Sequence, residues 1–167
     1  AKGFDIRVVG GAVRDLQQGK VPDDIDLCTD AFPEEMIAIL TDAGFRYEPT
    51  GLQHGTITAI TKSGAYEITS LRTESEHDGR HAKMTFTRDW TEDLSRRDLT
   101  INAMAMSLEG ELFDPFGGAA HLNAGVVCFV GDAEERMTED YLRILRYFRF
   151  LGRCSPTPVS YTHLTLP

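Results

Sequence analysis

VVGGAVRDLQQGKVPDDIDLCTD, residues 8–30, decides the fold. An apolar run ends in Gly10-Gly11, Arg14-Asp15 follow, and Asp24-Ile25-Asp26 comes near the end. IRVV (6–9) reads as a strand, 11–19 as a helix, and DIDLCT as a second strand. On a strand, residues i and i+2 share a face, so Asp24 and Asp26 would stand together with Ile25 and Leu27 buried behind. Adjacent carboxylates repel unless a cation or proton joins them. Their hard oxygens suit Mg²⁺, commonly shared with substrate phosphates, and such a pair can hold two metals ~4 Å apart. Gly10 and Gly11 would let backbone N–H groups approach an anion, and Arg14 adds a planar fork for phosphate. The stretch is neither a P-loop nor GxGxxG. Taken alone, it fits a tight strand–helix turn and a polar loop at least as well as a phosphate site.

Outward from this stretch, the pattern is mixed. PEEMIAILTDAG (33–44) has Pro at its start and Gly at its end, as a helix would. HGTITAIT (54–61) and YEITSLR (66–72) read as a hairpin joined by KSGA. TESEHDGRHAKMTFTRDW begins as a polar, mobile loop. LTINAMAMS, ELFDPF and VVCFVG read as short strands, and AEERMTEDYLRILRYFRFLGR as one long helix after Gly131-Asp132. No regular strand–helix alternation of a doubly wound sheet is present.

Bulk properties narrow the classes. The 167 residues suffice for one domain and the start of a second. No apolar run approaches the ~20 residues of a membrane helix. Cys28, Cys128 and Cys154 lack metal spacing and read as free thiols in a reducing compartment, so a cytoplasmic location is expected, or a mitochondrial one in a eukaryote. The net charge of −9 argues against a generally basic nucleic-acid surface. Five acids and five arginines balance between Asp132 and Arg153, so the excess acid lies before that segment and a local arginine face can coexist with it. Ala1 suggests a start inside a longer frame. CSPTPVSYTHLTLP (154–167) is uncharged, carries three prolines and interrupts a helix. It resembles a translated sequencing adaptor and is expected to be non-native, with a Pro-rich linker as the alternative.

GGAVRD with DDIDL, YEITSLR, DGRH (78–81), RRDLTINAM (96–104), DPFGG (114–118) and EDYLRILRYFRF (139–150) occur in the order and spacing of the tRNA nucleotidyltransferase family, the CCA-adding enzymes and their poly(A) polymerase relatives. The resemblance covers residues 3–153, and the wording is closest to the bacterial and eukaryotic class. It implies a mixed α/β (α+β) fold: a polymerase-β-like nucleotidyltransferase head over 1–131, then a helical neck over 132–153. The implied reaction is addition of CMP and AMP from CTP and ATP to the tRNA 3′ end. A relative adding only A, only CC or poly(A), and an inactive RNA-binding fragment, are the competing readings.

The resemblance also implies site residues. Asp24 and Asp26 would hold Mg²⁺, and Gly10, Gly11 and Arg14 would contact the nucleotide. Glu67 is either a third carboxylate near the metals or a solvated strand residue. Arg97 would grip the triphosphate bidentately, with Asp98 and Asn102 contacting ribose or orienting Arg97. Asp78, Gly79, Arg80 and His81 would lie in a mobile loop. His54, His77 and His121 suggest no site. In the last helix, Tyr141, Ile144, Leu145, Phe148 and Leu151 would form the apolar face at ~100° per residue. Arg136, Glu139, Arg143, Arg146, Arg149 and Arg153 would lie opposite. The family uses EDxxR as a protein template: the Asp140 carboxylate would accept from the amino group of cytosine or adenine, while the Arg143 guanidinium donates to ring acceptors. Arg146 and Arg149 would hold phosphates or nearby chain.

Overall fold

The computed structural model describes residues 3–77 and 82–154. Seven strands form one mixed sheet: β1 (Ile6–Val9), β2 (Leu27–Thr29), β3 (Arg46–Gly51), β4 (Thr56–Ile60), β5 (Ala65–Ser70), β8 (Ala105–Ser107) and β9 (Leu112–Phe113), in the order β3-β4-β5-β2-β1-β8-β9. β2 and β5 run parallel, with Leu27 opposite Ile68, and the other pairs are antiparallel. A separate hairpin pairs β6 (Arg72–His77) with β7 (Ala82–Phe86). Six helices complete the described chain: α1 (Gly11–Gln17), α2 (Pro33–Asp42), α3 (Trp90–Ser95), α4 (Gly118–Ala124), α5 (Ala133–Glu139) and α6 (Leu142–Cys154). None is long and apolar enough to cross a membrane.

The mixed α/β class follows from how these elements bury their apolar sides. Val9, Cys28, Leu71, Leu94 and Ala105 pack together from both ends of the chain. A second cluster joins Leu99, Ile101 and Leu122 to Phe150 of α6, so the last helix is docked on the sheet domain. α2 covers a third cluster at Ala31 and Ile57. Its start is as expected: Pro33 opens the first turn, and the Glu35 side chain accepts from Phe32 N at 2.8 Å.

Several expectations change. DIDLCT is strand only from Leu27, with Asp23 and Asp24 in a bend; Ile25 is 46% exposed, not buried. The expected polar loop after Leu71 is mostly the β6–β7 hairpin and α3; DGRH (78–81) lies outside the described residues. Charged and small polar residues alternate along 72–77, so no apolar period marked this pair in the sequence. LTIN is a 3₁₀ turn ahead of β8, and VVCFVG contributes one isolated bridge, Leu99 to Phe129. β3 and α4 were not anticipated. The long terminal helix is two helices, because Asp140 adopts φ −154° and ψ 108°.

DPFGG is explained by α4. Asp114 Oδ1 and Oδ2 accept from the N–H groups of Gly118 and Ala119 at 2.7 and 2.9 Å, satisfying the first turn. A Cβ on Gly118 would lie 2.1 Å from the Thr100 carbonyl oxygen. Gly118→Ala is therefore expected to cost about 3 kcal/mol, and thermal unfolding should show a fall of roughly 10 °C in Tm.

Candidate functional site

A cleft of about 620 Å³ opens between the ends of the central strands and α6. Its cationic character is strong for a chain of net charge −9: eight arginines line it against four carboxylates, Asp26, Glu67, Asp98 and Asp140. Every site residue expected from the sequence lines it except Asp24.

The acidic end is built by strand register. Val9 N–H donates to Asp26 C=O at 3.0 Å, so the chain is already held beside β1 one residue ahead of β2. Leu27 faces Ile68 across the parallel pair, so Asp26 and Glu67, one residue earlier on each chain segment, fall side by side. Both are exposed to the cleft, and Thr69 adds a hydroxyl. Asp24 lies in the exposed turn before them. Among the described residues no three or more His, Cys, Asp or Glu side chains are gathered as a ready metal cluster. An oxygen-donor set of two or three carboxylates fits a hard divalent cation whose remaining ligands come from a bound phosphate. Cys28 also borders this end, but burial first, and Asp93 second, push its thiol up to about 11, so it is a neutral core group at physiological pH.

Gly10 and Gly11 both border the cleft, and Gly10 also accommodates a side chain. Gly10 has φ +68°, and a Cβ there would lie 2.7 Å from Arg97 Nη1. The space above this turn is thus occupied by a guanidinium, and Gly10 is the seat on which Arg97 lies. Arg14 is also engaged: it donates to Asn102 Oδ1 at 2.8 Å and to Asp15, and stacks 4.8 Å above the Phe150 ring. Opening motif and RRDLTIN motif, 88 residues apart, therefore meet in one hydrogen bond.

The α6 side corrects the helical-wheel reading. Phe150 is buried and Tyr147 and Leu151 pack inward, whereas Tyr141, Leu145 and Phe148 are exposed. Arg143, Arg146, Arg149 and Arg153 line the cleft. Arg146 Nε pairs with Asp98 Oδ2 at 2.8 Å, an ion pair in which Asp98 is only 5% exposed. Arg149 lies 5.0 Å from the Phe150 ring. Asp140 is not an i,i+3 partner of Arg143 on a continuous helix. Its Oδ1 accepts from Leu142 N at 2.9 Å and caps α6. Arg143 instead donates to Glu139, and to the Arg136 carbonyl at 3.3 Å. Burial works to raise the Glu139 carboxyl, but the hydrogen bonds from Arg143 and Arg136 outweigh it and hold it below the ordinary glutamate range.

Three cleft features escaped sequence reading: Arg72 and Arg96, which line it, and buried Asp93 beneath them. Asp93 had a usable signal, its spacing of three and four residues before Arg96 and Arg97. His54 and His121 have structural contacts: the His54 carbonyl accepts from Arg72 Nη1, and His121 Nδ1 shares a hydrogen bond with Thr100 Oγ1.

Carboxylates just ahead of β2 and within its parallel neighbour β5, facing an arginine-bearing helix across a cleft, define a polymerase-β-like nucleotidyltransferase head. The chain belongs to the poly(A) polymerase head domain family, whose sequence model matches residues 6–128. It is 50% identical over 164 residues to the zebrafish mitochondrial CCA tRNA nucleotidyltransferase 1, covering 98% of this chain and 38% of that protein. It is 49% identical over 163 residues to the human mitochondrial counterpart, with coverage of 97% and 38%. Among solved structures, the Bacillus stearothermophilus CCA-adding enzyme in complex with CTP superposes with a TM-score of 0.77 at 41% identity, over 90% of this chain and 35% of that one. A tRNA nucleotidyltransferase complexed with a primer tRNA and an incoming ATP analog gives 0.71 at 33% identity, over 91% and 42%. The chain thus spans somewhat over a third of the length of these relatives.

Proposed function

We propose that this protein adds CMP and AMP, taken from CTP and ATP, to the 3′ end of tRNA without a nucleic-acid template. The observation that carries the proposal is the cleft itself, which sets carboxylates at one end, guanidiniums along its wall, and Asp140 and Arg143 where the facing helix begins. The relatives' names and the nucleotide-bound structures support the same reading. The family head would extend to residue 131, with a helical neck starting where Asp132 caps α5 through Glu134 and Glu135 N–H. The mitochondrial names of vertebrate relatives support that compartment in a eukaryote, with the cytoplasm as the alternative.

Nucleotidyl transfer needs positioning and charge neutralisation more than covalent help. Arg97, seated on Gly10, would hold the triphosphate with Arg146 and Arg149, while Gly11 and Arg14 border the sugar and phosphates. Asp98 and Asn102 would meet the ribose. Asp26, with Asp24 and Glu67, would hold Mg²⁺, which supplies activation of the attacking 3′-hydroxyl and neutralisation of the departing pyrophosphate. Asp140 and Arg143 would read the base: a carboxylate accepts from the amino groups of cytosine and adenine but opposes the carbonyls of uracil and guanine.

The test is incubation with tRNA lacking its CCA end and labelled nucleotides, singly and together. CMP should be incorporated first and AMP only after it, with no UMP or GMP. Incorporation of AMP alone onto any RNA 3′ end would overturn CCA addition in favour of a poly(A)-adding relative.

A further inference from the structure

We propose that Asp93 is the positioning residue of the triphosphate clamp, an inference that rests on the nucleotidyl-transfer reading. Asp93 sits on α3, fully buried beneath the cleft floor and outside its lining. Its Oδ1 accepts three hydrogen bonds: Arg72 N–H at 3.1 Å, Arg96 Nε at 3.1 Å and Arg96 Nη2 at 2.9 Å. Its Oδ2 makes no hydrogen bond and lies 3.6 Å from Arg97 Nη2. One carboxylate therefore joins the start of β6, Arg96 and Arg97.

The two oxygens do different jobs. Oδ1 ties down backbone and Arg96 by directional bonds. Oδ2 holds Arg97 by charge alone, so the donors of Arg97 are not consumed and can turn to a phosphate. At its other terminal nitrogen the Arg97 guanidinium meets Gly10, where a Cβ would come within 2.7 Å of Nη1. Arg97 is thus lodged between a buried charge and a bare glycine. Two guanidiniums lean on one buried carboxylate, and Arg97 keeps its donors for the cleft. Such fixed, dehydrated cations bind phosphate without reorganising.

Asp93→Asn separates a positioning role from a general packing role. The amide keeps one acceptor for Arg72 N–H and Arg96, but it removes the charge opposite Arg97 and sets a donor against a donor. Binding of CTP and of inorganic pyrophosphate would be measured by calorimetry for wild type, Asp93→Asn, Arg97→Ala and the double variant. Asp93→Asn should weaken both ligands about tenfold, and add less than about twofold once Arg97 is already alanine. Gly10→Ala, which displaces Arg97 from the opposite side, should show the same pattern and keeps the test alive if Asp93→Asn unfolds. Wild-type affinity in Asp93→Asn, or additive losses in the double variant, would overturn the positioning role alone. A wild-type protein that binds neither ligand would overturn the nucleotidyl-transfer reading as well.

Discussion

Asp26→Ala is expected to lower CMP and AMP incorporation by on the order of 10³-fold or more, with unfolding temperature almost unchanged. The Asp26 side chain is exposed, and it is the backbone carbonyl that is tied into the sheet, through Val9 N–H. Removing the carboxylate therefore leaves the strand pairing intact. What it removes is the carboxylate that lines the cleft with Glu67 just ahead of β2, so the cleft keeps its arginines and loses the group that would hold a cation. Nucleotide binding without metal should persist while turnover disappears. Asp24→Ala is expected to abolish turnover too, by withdrawing the upstream carboxylate proposed to share the cation. Primer extension over a range of Mg²⁺ concentrations checks both, and residual turnover within tenfold of wild type for Asp26→Ala would remove it from the metal site.

Asp140→Asn is expected to reduce the preference for CTP over UTP by about ten- to a hundredfold while slowing CMP addition much less. An asparagine retains an acceptor for Leu142 N–H, so α6 keeps its cap, which alanine would lose. The change falls on base reading: the amide can donate to the uracil carbonyl that the carboxylate opposed. Uracil N3–H would still face Arg143, held by Glu139, so discrimination should not vanish. Single-nucleotide competition on tRNA lacking its CCA end measures the ratio. An unchanged preference for CTP would show that Asp140 serves the helix cap and not the base.

Much of the site was legible because its chemistry is carried by residue types unsuited to a bland surface. Asp26 downstream of a double glycine, Arg97 before Asp98, and an arginine-dominated helix all converge on one cleft. Local pattern misled where burial depended on partners far along the chain. The periodicity of residues 141–151 picked out Tyr141, Leu145 and Phe148 as the inner face, yet Phe150 is buried and those three are exposed. Helical spacing alone cannot say which of two apolar-rich faces meets the sheet. The break at Asp140 was equally hidden, since EDYLR has good helix formers and only the engagement of Leu142 N–H by the Asp140 side chain stops the first helix.

The mixing of strands and helices and the order of the acidic and arginine motifs are written in the chain, and the family resemblance of those motifs pointed to nucleotidyl transfer. How the motifs act on one another emerged from the folded arrangement. It gave Gly10 to Arg97 as a seat, joined Arg14 to Asn102, paired Arg146 with Asp98, and set buried Asp93 beneath the clamp. The reason is physical: residue type and spacing encode what a side chain can do. Which charge faces which, and at what depth, depends on sheet register and packing between segments nearly ninety residues apart.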